Sequence, residues 1–146
     1  MQNLESNSTK SKKIKLDFKD SKYATGRRKR SIAKVWVKKG SGNIHVNGLK
    51  MNEYFKRPVH QIIVTRPLEI SEVASNYDVK CSVKGGGLSG QAGAIILGIS
   101  KALIAHDENL KKSLKKDKLT TRDSRVVERK KYGHRKARRS FQFSKR

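Results

Sequence analysis

The spacing of hydrophobic and polar residues predicts a short β-hairpin and, further along the chain, one more strand. Residues 31–37 are rich in β-branched and aromatic side chains, the turn-forming residues 39–43 follow, and apolar and polar residues alternate over 44–47. Two such segments joined by a short glycine-containing loop are typical of a hairpin. Residues 77–84 alternate strictly with Cys81 on the apolar side, which predicts a strand with one buried and one solvated face.

Helices are predicted on both sides of that strand. Residues 92–105 carry apolar side chains at intervals of three and four, so we expect the main core helix there, followed by a lysine-rich helix ending near Leu119. Upstream, residues 51–55 predict one helical turn and residues 58–75 favour helix. Pro67 disfavours a helical conformation at the preceding residue, so two short helices are expected. Together these elements predict an α+β fold: a small sheet covered on one face by helices.

The charge of the chain indicates the class of partner. The 146 residues include 36 Lys or Arg and 12 Asp or Glu, for a formal charge of +24. Such self-repulsion disfavours a compact chain unless a polyanion neutralises it, so a nucleic acid is the expected partner. Residues 23–43 hold seven bases and no acid, and residues 129–146 hold nine bases and no acid, whereas residues 44–80 are nearly balanced.

This uneven composition divides the chain into three parts. Residues 1–22 have few apolar side chains and predict a flexible N-terminal extension. Residues 23–119 contain the periodic segments and predict a globular RNA-binding domain. Residues 120–146 predict an extended basic tail, because a dense block of like charge does not pack on itself. The 18 residues after Glu128 would reach about 60 Å if fully extended.

Other classes of protein are disfavoured by the composition. A single cysteine leaves no partner for an intramolecular disulfide, so a reducing compartment is expected. Residues 1–22 lack both the apolar segment of a secretory signal and the arginine-rich composition of a mitochondrial presequence. Residues 92–105 would span about 21 Å as a helix, too short for a membrane. The four histidines are too scattered to predict a metal site, and no cofactor or homo-oligomer is expected.

The glycine cluster at residues 85–90 matches the pattern G-x-G-x-x-G between the predicted strand and the main helix. In a dinucleotide-binding domain this pattern holds a pyrophosphate at a helix N-terminus. Here the strand alternates with charges and the following element is lysine-rich rather than a second strand, so a dinucleotide site is disfavoured. Two interpretations remain: the backbone N–H groups bind a phosphate of another molecule, or the loop is a flexible joint without a ligand.

Two basic segments are candidates for contact with phosphates, although a charge run is also the composition of a solvated surface. Arg27–Arg30 is a run of four bases that leads into the first predicted strand, so the strand would fix its direction. In the tail, Tyr132, Phe141 and Phe143 are interleaved with bases. Such a segment stacks rings on nucleobases and places cations on phosphates, which favours a folded RNA over duplex DNA.

Four segments carry motifs in a fixed order: residues 23–33, with Thr-Gly-Arg-Arg-Lys-Arg-Ser; residues 84–91, with the glycine cluster; residues 121–133; and the terminal Ser-Lys-Arg. This set resembles the bacterial-type family of small-subunit ribosomal protein nine, over residues 23–146. The Arg-Asp-Ser-Arg-Val-Val segment is similar to alphaproteobacterial and mitochondrially encoded relatives.

The resemblance implies a fold like the second domain of ribosomal protein five, with a left-handed βαβ crossover. It also implies a place in the head of the small subunit, among other head proteins, where the globular part binds rRNA and the tail threads to the peptidyl site. There Lys145 and Arg146 would touch the anticodon stem-loop of the peptidyl-site tRNA, and Ser144 would help to place them.

We therefore predict a non-enzymatic structural protein of the small ribosomal subunit, bound to ribosomes in a bacterial cytoplasm or, alternatively, in a mitochondrial matrix. The alternative function is that of a free nucleic-acid chaperone or DNA-compacting protein, which would use the same charge without a defined site. The residues expected to contact rRNA are Arg27, Arg28, Lys29, Arg30, Lys84, Gly85, Gly86, Gly87, Ser89, Gly90, Arg122, Arg125, Arg129, Lys130, Lys131, Tyr132, Arg135, Lys136, Arg138 and Arg139.

Overall fold

The computed structural model describes residues 18–145, which include one five-stranded mixed sheet with helices packed on one of its faces. Along the chain the elements are β1 Lys22–Arg28, β2 Ser31–Lys39, β3 Ile44–Val46, β4 Leu49–Lys50, α1 Met51–Tyr54, α2 Pro58–Ile70, β5 Tyr77–Lys84, α3 Leu88–His106 and α4 Leu110–Lys116. The strands lie side by side in the order β1-β2-β5-β3-β4. This architecture confirms the predicted α+β fold.

β2 forms its hairpin with β1 and not with β3, so the predicted hairpin between residues 31–37 and 44–47 is wrong. β5 lies between β2 and β3. The physical reason is the length of the available partner: β5 pairs with β2 over eight positions, whereas β3 offers only three residues. The predicted loop instead crosses the end of β5, where the Asp78 carboxylate accepts backbone hydrogen bonds from Ser41 and Asn43 at 3.0 and 2.8 Å.

The chain between β3 and β5 makes a βαβ connection. β3 and β5 are parallel, and β4, α1 and α2 lie between them in sequence. The predicted helical turn at residues 51–55 is confirmed by α1. The resemblance implied such a connection, and its left-handedness stays a prediction.

The segment around Pro67 is one helix, so the predicted division into two short helices is wrong. α2 runs through Pro67, which lies three residues before the last helical residue, Ile70, and therefore removes a single backbone donor from the last turn. Pro67 and Leu68 are both buried, with Leu68 in the hydrophobic core. The free energy gained by burying these side chains outweighs the preference of the residue before proline for an extended backbone conformation.

The core lies between the sheet and α3. The inward residues of β2 and β5 confirm the predicted alternation and are buried, namely Ala33, Val35, Val37, Val79, Cys81 and Val83. They join Ile95, Ile99 and Leu103 of α3, whose predicted apolar stripe is also confirmed. Within the described residues, α3 is the one helix long and apolar enough to cross a membrane, and more than half of that segment is buried inside the protein. Such burial is typical of a core helix.

The single cysteine is part of this core. Cys81 is 2% exposed, and burial raises the pKa of its thiol. The thiol therefore stays protonated and unreactive at neutral pH, and the predicted role of Cys81 as a core side chain is confirmed.

β1 lies close against α3 because both elements have a glycine where they cross. A Cβ at Gly26 would overlap the carbonyl oxygen of Ala94 and lie 2.6 Å from the backbone nitrogen of Gly98. A Cβ at Gly98 would lie 2.5 Å from Cγ2 of Val35 on β2. Since neither position has room for a side chain, the two glycines set the distance between the hairpin and the helix.

We expect Gly26→Ala to lower the free energy of unfolding by about 3 kcal/mol or more, because the added methyl meets backbone atoms rather than a movable side chain. Equilibrium urea unfolding measures this loss. Gly87→Ala is the matched control, because a Cβ at Gly87 meets no atom within 4 Å. Its loss should stay below about 1 kcal/mol. Equal losses in the two variants would contradict the role given to the crossing point.

Candidate nucleic-acid interface

The first basic segment, Arg27–Arg30, forms a basic corner at the β1–β2 turn rather than preceding the first strand, which corrects the sequence interpretation. Arg27 and Arg28 end β1, and Lys29 and Arg30 form the turn, with Lys29 at a left-handed φ of 50°. Neighbouring strand residues point to opposite faces. Arg27 therefore projects from the face without helices, and Arg28 projects over α3 beside Gly93.

The glycine loop, residues 85–90, joins β5 to α3 next to the basic corner. Gly85 and Gly86 have φ angles of 77° and 60°, which other residues rarely adopt. A Cβ at Gly86 would overlap the hydroxyl of the buried Ser31, and a Cβ at Gly90 would lie 2.8 Å from it. Packing on Ser31 thus requires glycine at both positions, independently of any ligand.

The orientation of this loop is fixed through one carbonyl group. The Gly85 oxygen accepts hydrogen bonds from Ser31 Oγ at 3.0 Å and from Gln91 Nε2 at 3.2 Å. Since C=O and N–H of a trans peptide point in opposite directions, the Gly86 N–H points away from these two donors. Gly86 is exposed, and its N–H donates no hydrogen bond within residues 18–145. The loop therefore presents an oriented donor, which disfavours the interpretation as a flexible joint.

A chain of hydrogen bonds connects the glycine loop to the β3–β4 turn. Gln91 Oε1 accepts a hydrogen bond from the Tyr54 hydroxyl at 2.7 Å. The Tyr54 hydroxyl oxygen in turn accepts a hydrogen bond from Asn47 Nδ2 at 3.3 Å. The Asn47 amide also pairs with Val83, accepting from its N–H at 2.8 Å and donating to its carbonyl at 3.0 Å. The Asn47 side chain thus acts as an additional backbone-like partner for β5. Through this chain, α1 and the β3–β4 turn support the side chain that holds the loop.

The tail root, residues 121–129, lies against the basic corner and the glycine loop. Asp123 forms ion pairs with Arg28 of the domain and with Arg125 of the tail, the latter at 2.8 Å. One groove is lined by residues of all three segments, namely Lys29, Arg30, Gly86, Gly87, Val126, Val127, Glu128 and Arg129. The structure thus brings together the three segments that the sequence identified separately.

Further along the tail, a second acid organises a local loop. Glu128 Oε1 lies 2.6 Å from Lys131 Nζ, and its Oε2 lies 2.9 Å from Arg138 Nε. Hydrogen bonds from these two cations lower the pKa of Glu128. Between them in sequence, the guanidinium of Arg135 lies 5.4 Å from the ring centre of Phe141. The two acids of the tail are therefore both internal partners of cations.

The remaining predicted contact residues lie in the first turn of α3 and in the tail. Residues 121–145 contain neither helix nor strand. Ser89 is exposed in the first turn of α3, whereas Gly90 is buried. The exposed basic, aromatic and terminal positions of the tail include Arg122, Lys130, Tyr132, Lys136, Arg139, Ser144 and Lys145. Arg146 lies outside the described residues, as do residues 1–17 of the predicted N-terminal extension.

Sequence reasoning missed the residues that hold this site together. Asp123 and Glu128 could have been found, because they are the two acids in an otherwise basic tail. Ser31, Tyr54 and Gln91 carry no such signal, since their roles depend on contacts between distant parts of the chain.

The site has the composition of a binding surface and not of an active centre. It combines cations and a backbone donor, which suit phosphate groups. Within residues 18–145, no three His, Cys, Asp or Glu side chains come together as candidate metal ligands. α3 leads into α4 and not into a second parallel strand, so the glycine loop lacks the surroundings of a dinucleotide site.

A small α+β domain with a basic corner, an oriented loop and a cationic tail belongs to the class of nucleic-acid-binding proteins without catalytic machinery. The chain belongs to the ribosomal protein S9/S16 family, whose model matches residues 26–146. It is therefore a non-enzymatic structural protein of the small ribosomal subunit, and it acts in translation. Its partners are rRNA and other ribosomal proteins, which favours this function over that of a free chaperone.

Tyr54→Phe should lower the free energy of unfolding by about 1 kcal/mol, because it removes the hydroxyl between Asn47 and Gln91. Tyr77→Phe is the matched control: the Tyr77 ring packs on His106, but its hydroxyl makes no hydrogen bond within the described chain. A double-mutant cycle with Gln91→Ala should give a coupling of at least about 0.5 kcal/mol. Strictly additive losses would mean that the two side chains act independently.

The Asp123 carboxyl should titrate well below an ordinary aspartate, because hydrogen bonds from Arg125 and Arg28 lower its pKa. Its unfolded pKa is about 3.9, so the stabilising contribution is complete above that pH and is lost as the pH falls through the lower folded value. Carboxyl ¹³C NMR measures this titration. Arg28→Gln should raise the midpoint, and Arg27→Gln, on the opposite face, should not. A wild-type midpoint near 3.9 would contradict the ion pair.

Proposed function

We propose that the protein binds rRNA through the basic corner, the glycine loop and the tail, and contacts the peptidyl-site tRNA with Ser144, Lys145 and Arg146. The observation that carries this proposal is the position of the tail root. It is tied to the basic corner by the ion pair between Arg28 and Asp123, so the cationic tail leaves the domain beside the glycine loop.

Neutralisation of phosphates would supply most of the affinity for rRNA. Arg27, Lys29 and Arg30 are exposed around the corner, and the free N–H of Gly86 lies on the neighbouring loop. Cations and backbone donors at fixed positions set the register of a nucleic acid without reading its sequence. Release of counterions makes such binding strongly dependent on salt.

The predicted domain boundary near residue 120 assigns different roles to the two parts of the protein. The domain, residues 23–119, would hold the tail root at a fixed place on rRNA. The tail beyond Glu128 contains nine bases and no acid, so it would follow a path lined by phosphates. Its rRNA contacts would include Arg122, Arg125, Arg129, Lys130, Lys131, Tyr132, Arg135, Lys136, Arg138 and Arg139, together with Lys84, Gly85, Gly87 and Ser89 of the domain.

The end of the tail would reach a second RNA. From Arg129 to Arg146 the chain could extend about 60 Å, and opening of the loop around Glu128 would release this length. The terminal cations would then bind phosphates of the anticodon stem-loop of the peptidyl-site tRNA. By resemblance, we place the domain in the head of the small subunit among other head proteins, in a bacterial cytoplasm, with the mitochondrial ribosome as the alternative.

Deletion of Lys145 and Arg146 tests the tRNA contact. Small subunits reconstituted with the shortened chain should assemble normally and sediment as intact particles, because the tail root and domain are unchanged. Their affinity for peptidyl-site tRNA should fall by about ten-fold, since two charge-assisted contacts to phosphate are lost. Filter binding at fixed salt measures the affinity.

The matched control removes the same charge elsewhere. Lys111 and Lys112 are exposed on α4, and their double substitution by alanine lowers the net charge equally. This variant should keep the tRNA affinity of the wild type. Unchanged affinity after the deletion, or an equal loss in the control, would overturn the proposed tRNA contact.

A further inference from the structure

The sheet has a second face, which carries none of the packed helices. Alternation along the strands directs one set of side chains to α3 and the other set to this open face. The open face includes Tyr23, Arg27, Trp36, Lys80 and Lys84.

Aromatic rings lie together on the open face. Tyr23 on β1 is the register partner of Trp36 on β2, and their ring centres are 5.4 Å apart at an interplanar angle of 42°. Tyr23 is 49% exposed, and Trp36 is half-buried. On the other side of Trp36, Lys80 Nζ lies 6.0 Å from its ring centre and 5.7 Å from that of Phe18. Flat apolar surface and positive charge are therefore adjacent.

The charge of the open face is almost entirely positive. Its strands contribute six bases, namely Arg27, Lys34, Lys38, Lys50, Lys80 and Lys84, against the single acid Asp78. That acid already accepts hydrogen bonds from the backbone N–H groups of Ser41 and Asn43. The electrostatic complement of this face is therefore a polyanion.

We propose that the open face binds a single-stranded segment of RNA, with unpaired bases stacked on Tyr23 and Trp36 and phosphates on the surrounding lysines. Aromatic side chains on an exposed sheet stack on splayed bases, whereas the bases of a duplex are already stacked within the helix. A protein partner would have to supply several acids to this cationic surface, whereas a nucleic acid supplies phosphates along its whole backbone. The inference rests on rRNA as the partner in the proposed function and adds a separate site.

The open face is continuous with the basic corner. Arg27 and Lys84 stand on the same face as the aromatic pair, four residues further along β1 and β5, or about 13 Å. Lys84 is followed directly by Gly85 of the glycine loop. One RNA strand can therefore stack on Trp36 and continue to the phosphate contacts at the corner.

Trp36 allows a direct test, because it is the only tryptophan in the chain. The full-length protein is titrated with a single-stranded oligouridylate, with a duplex RNA and with polyphosphate, each to saturation of binding. The oligouridylate should quench the emission of Trp36 and shield it from acrylamide. Polyphosphate and duplex RNA, which bind by charge, should leave the emission nearly unchanged.

Substitutions at Tyr23 provide the second measurement. Tyr23→Ala should weaken binding of the oligouridylate by about five-fold or more, because one stacking surface is lost. Tyr23→Phe keeps the ring and should retain the affinity of the wild type. Ile62→Ala on α2, where the side chain is exposed, is the control for a nonspecific loss of exposed apolar area, and it should leave both the affinity and the Trp36 response intact. Circular dichroism verifies that each variant is folded.

The outcomes separate this inference from the proposed function. Binding of oligouridylate without any change at Trp36 would overturn the stacking site and leave the proposed rRNA contacts at the corner and tail in place. Equal quenching by polyphosphate would also overturn it. Shielding of Trp36 from acrylamide before any RNA is added, or shielding by an added ribosomal protein in place of RNA, would assign this face to another occupant and would overturn the site. Absence of any RNA binding would contradict both proposals.

Discussion

The close approach of β1 to α3 is the contact on which the interface depends. Without side chains at Gly26 and Gly98, the β1–β2 hairpin lies directly on the helix, and its turn reaches the helix N-terminus. There the Ser31 hydroxyl donates a hydrogen bond to the Gly85 carbonyl of the glycine loop. The Arg28 side chain passes over Gly93 and forms an ion pair with Asp123. A wider spacing between strand and helix would separate the basic corner from the loop and from the tail root.

The positive charge is distributed over surfaces with different surroundings. At the corner, arginine and lysine stand beside a backbone donor whose direction is set by hydrogen bonds. On the open face, lysines surround two aromatic rings. In the tail, two carboxylates already neutralise some of the cations, so RNA must displace Glu128 from Lys131 and Arg138 to gain them. The carboxylates thereby favour a partner with a dense, continuous phosphate backbone.

The sequence predicted those features that depend on neighbouring residues. Alternation identified β5, and helical spacing identified α3, because each pattern is local. The partner of β2 depends on residues 77–84, some forty positions later, so the residues around β2 alone do not show that β5 pairs with it. The helix continues through Pro67 because its side chain and that of Leu68 are buried against other elements, and this burial is not visible in the local sequence. Glycines and charges are visible in composition, which is why the corner, loop and tail were found, whereas the contacts of Tyr54 exist only in the folded chain.

The two edge strands of the sheet, β1 and β4, affect whether copies of the chain pair with one another before they bind RNA. An exposed strand edge invites pairing with another copy, and proteins block such edges by making them short or charged. β4 has only two residues, and β1 carries Lys22, Arg27 and Arg28 along its length. Pairing of two copies through β1 would place like charges opposite one another. Pairing through β4 would have almost no backbone groups available for hydrogen bonds. The newly synthesised chain is thereby protected from strand-mediated aggregation during the interval before assembly.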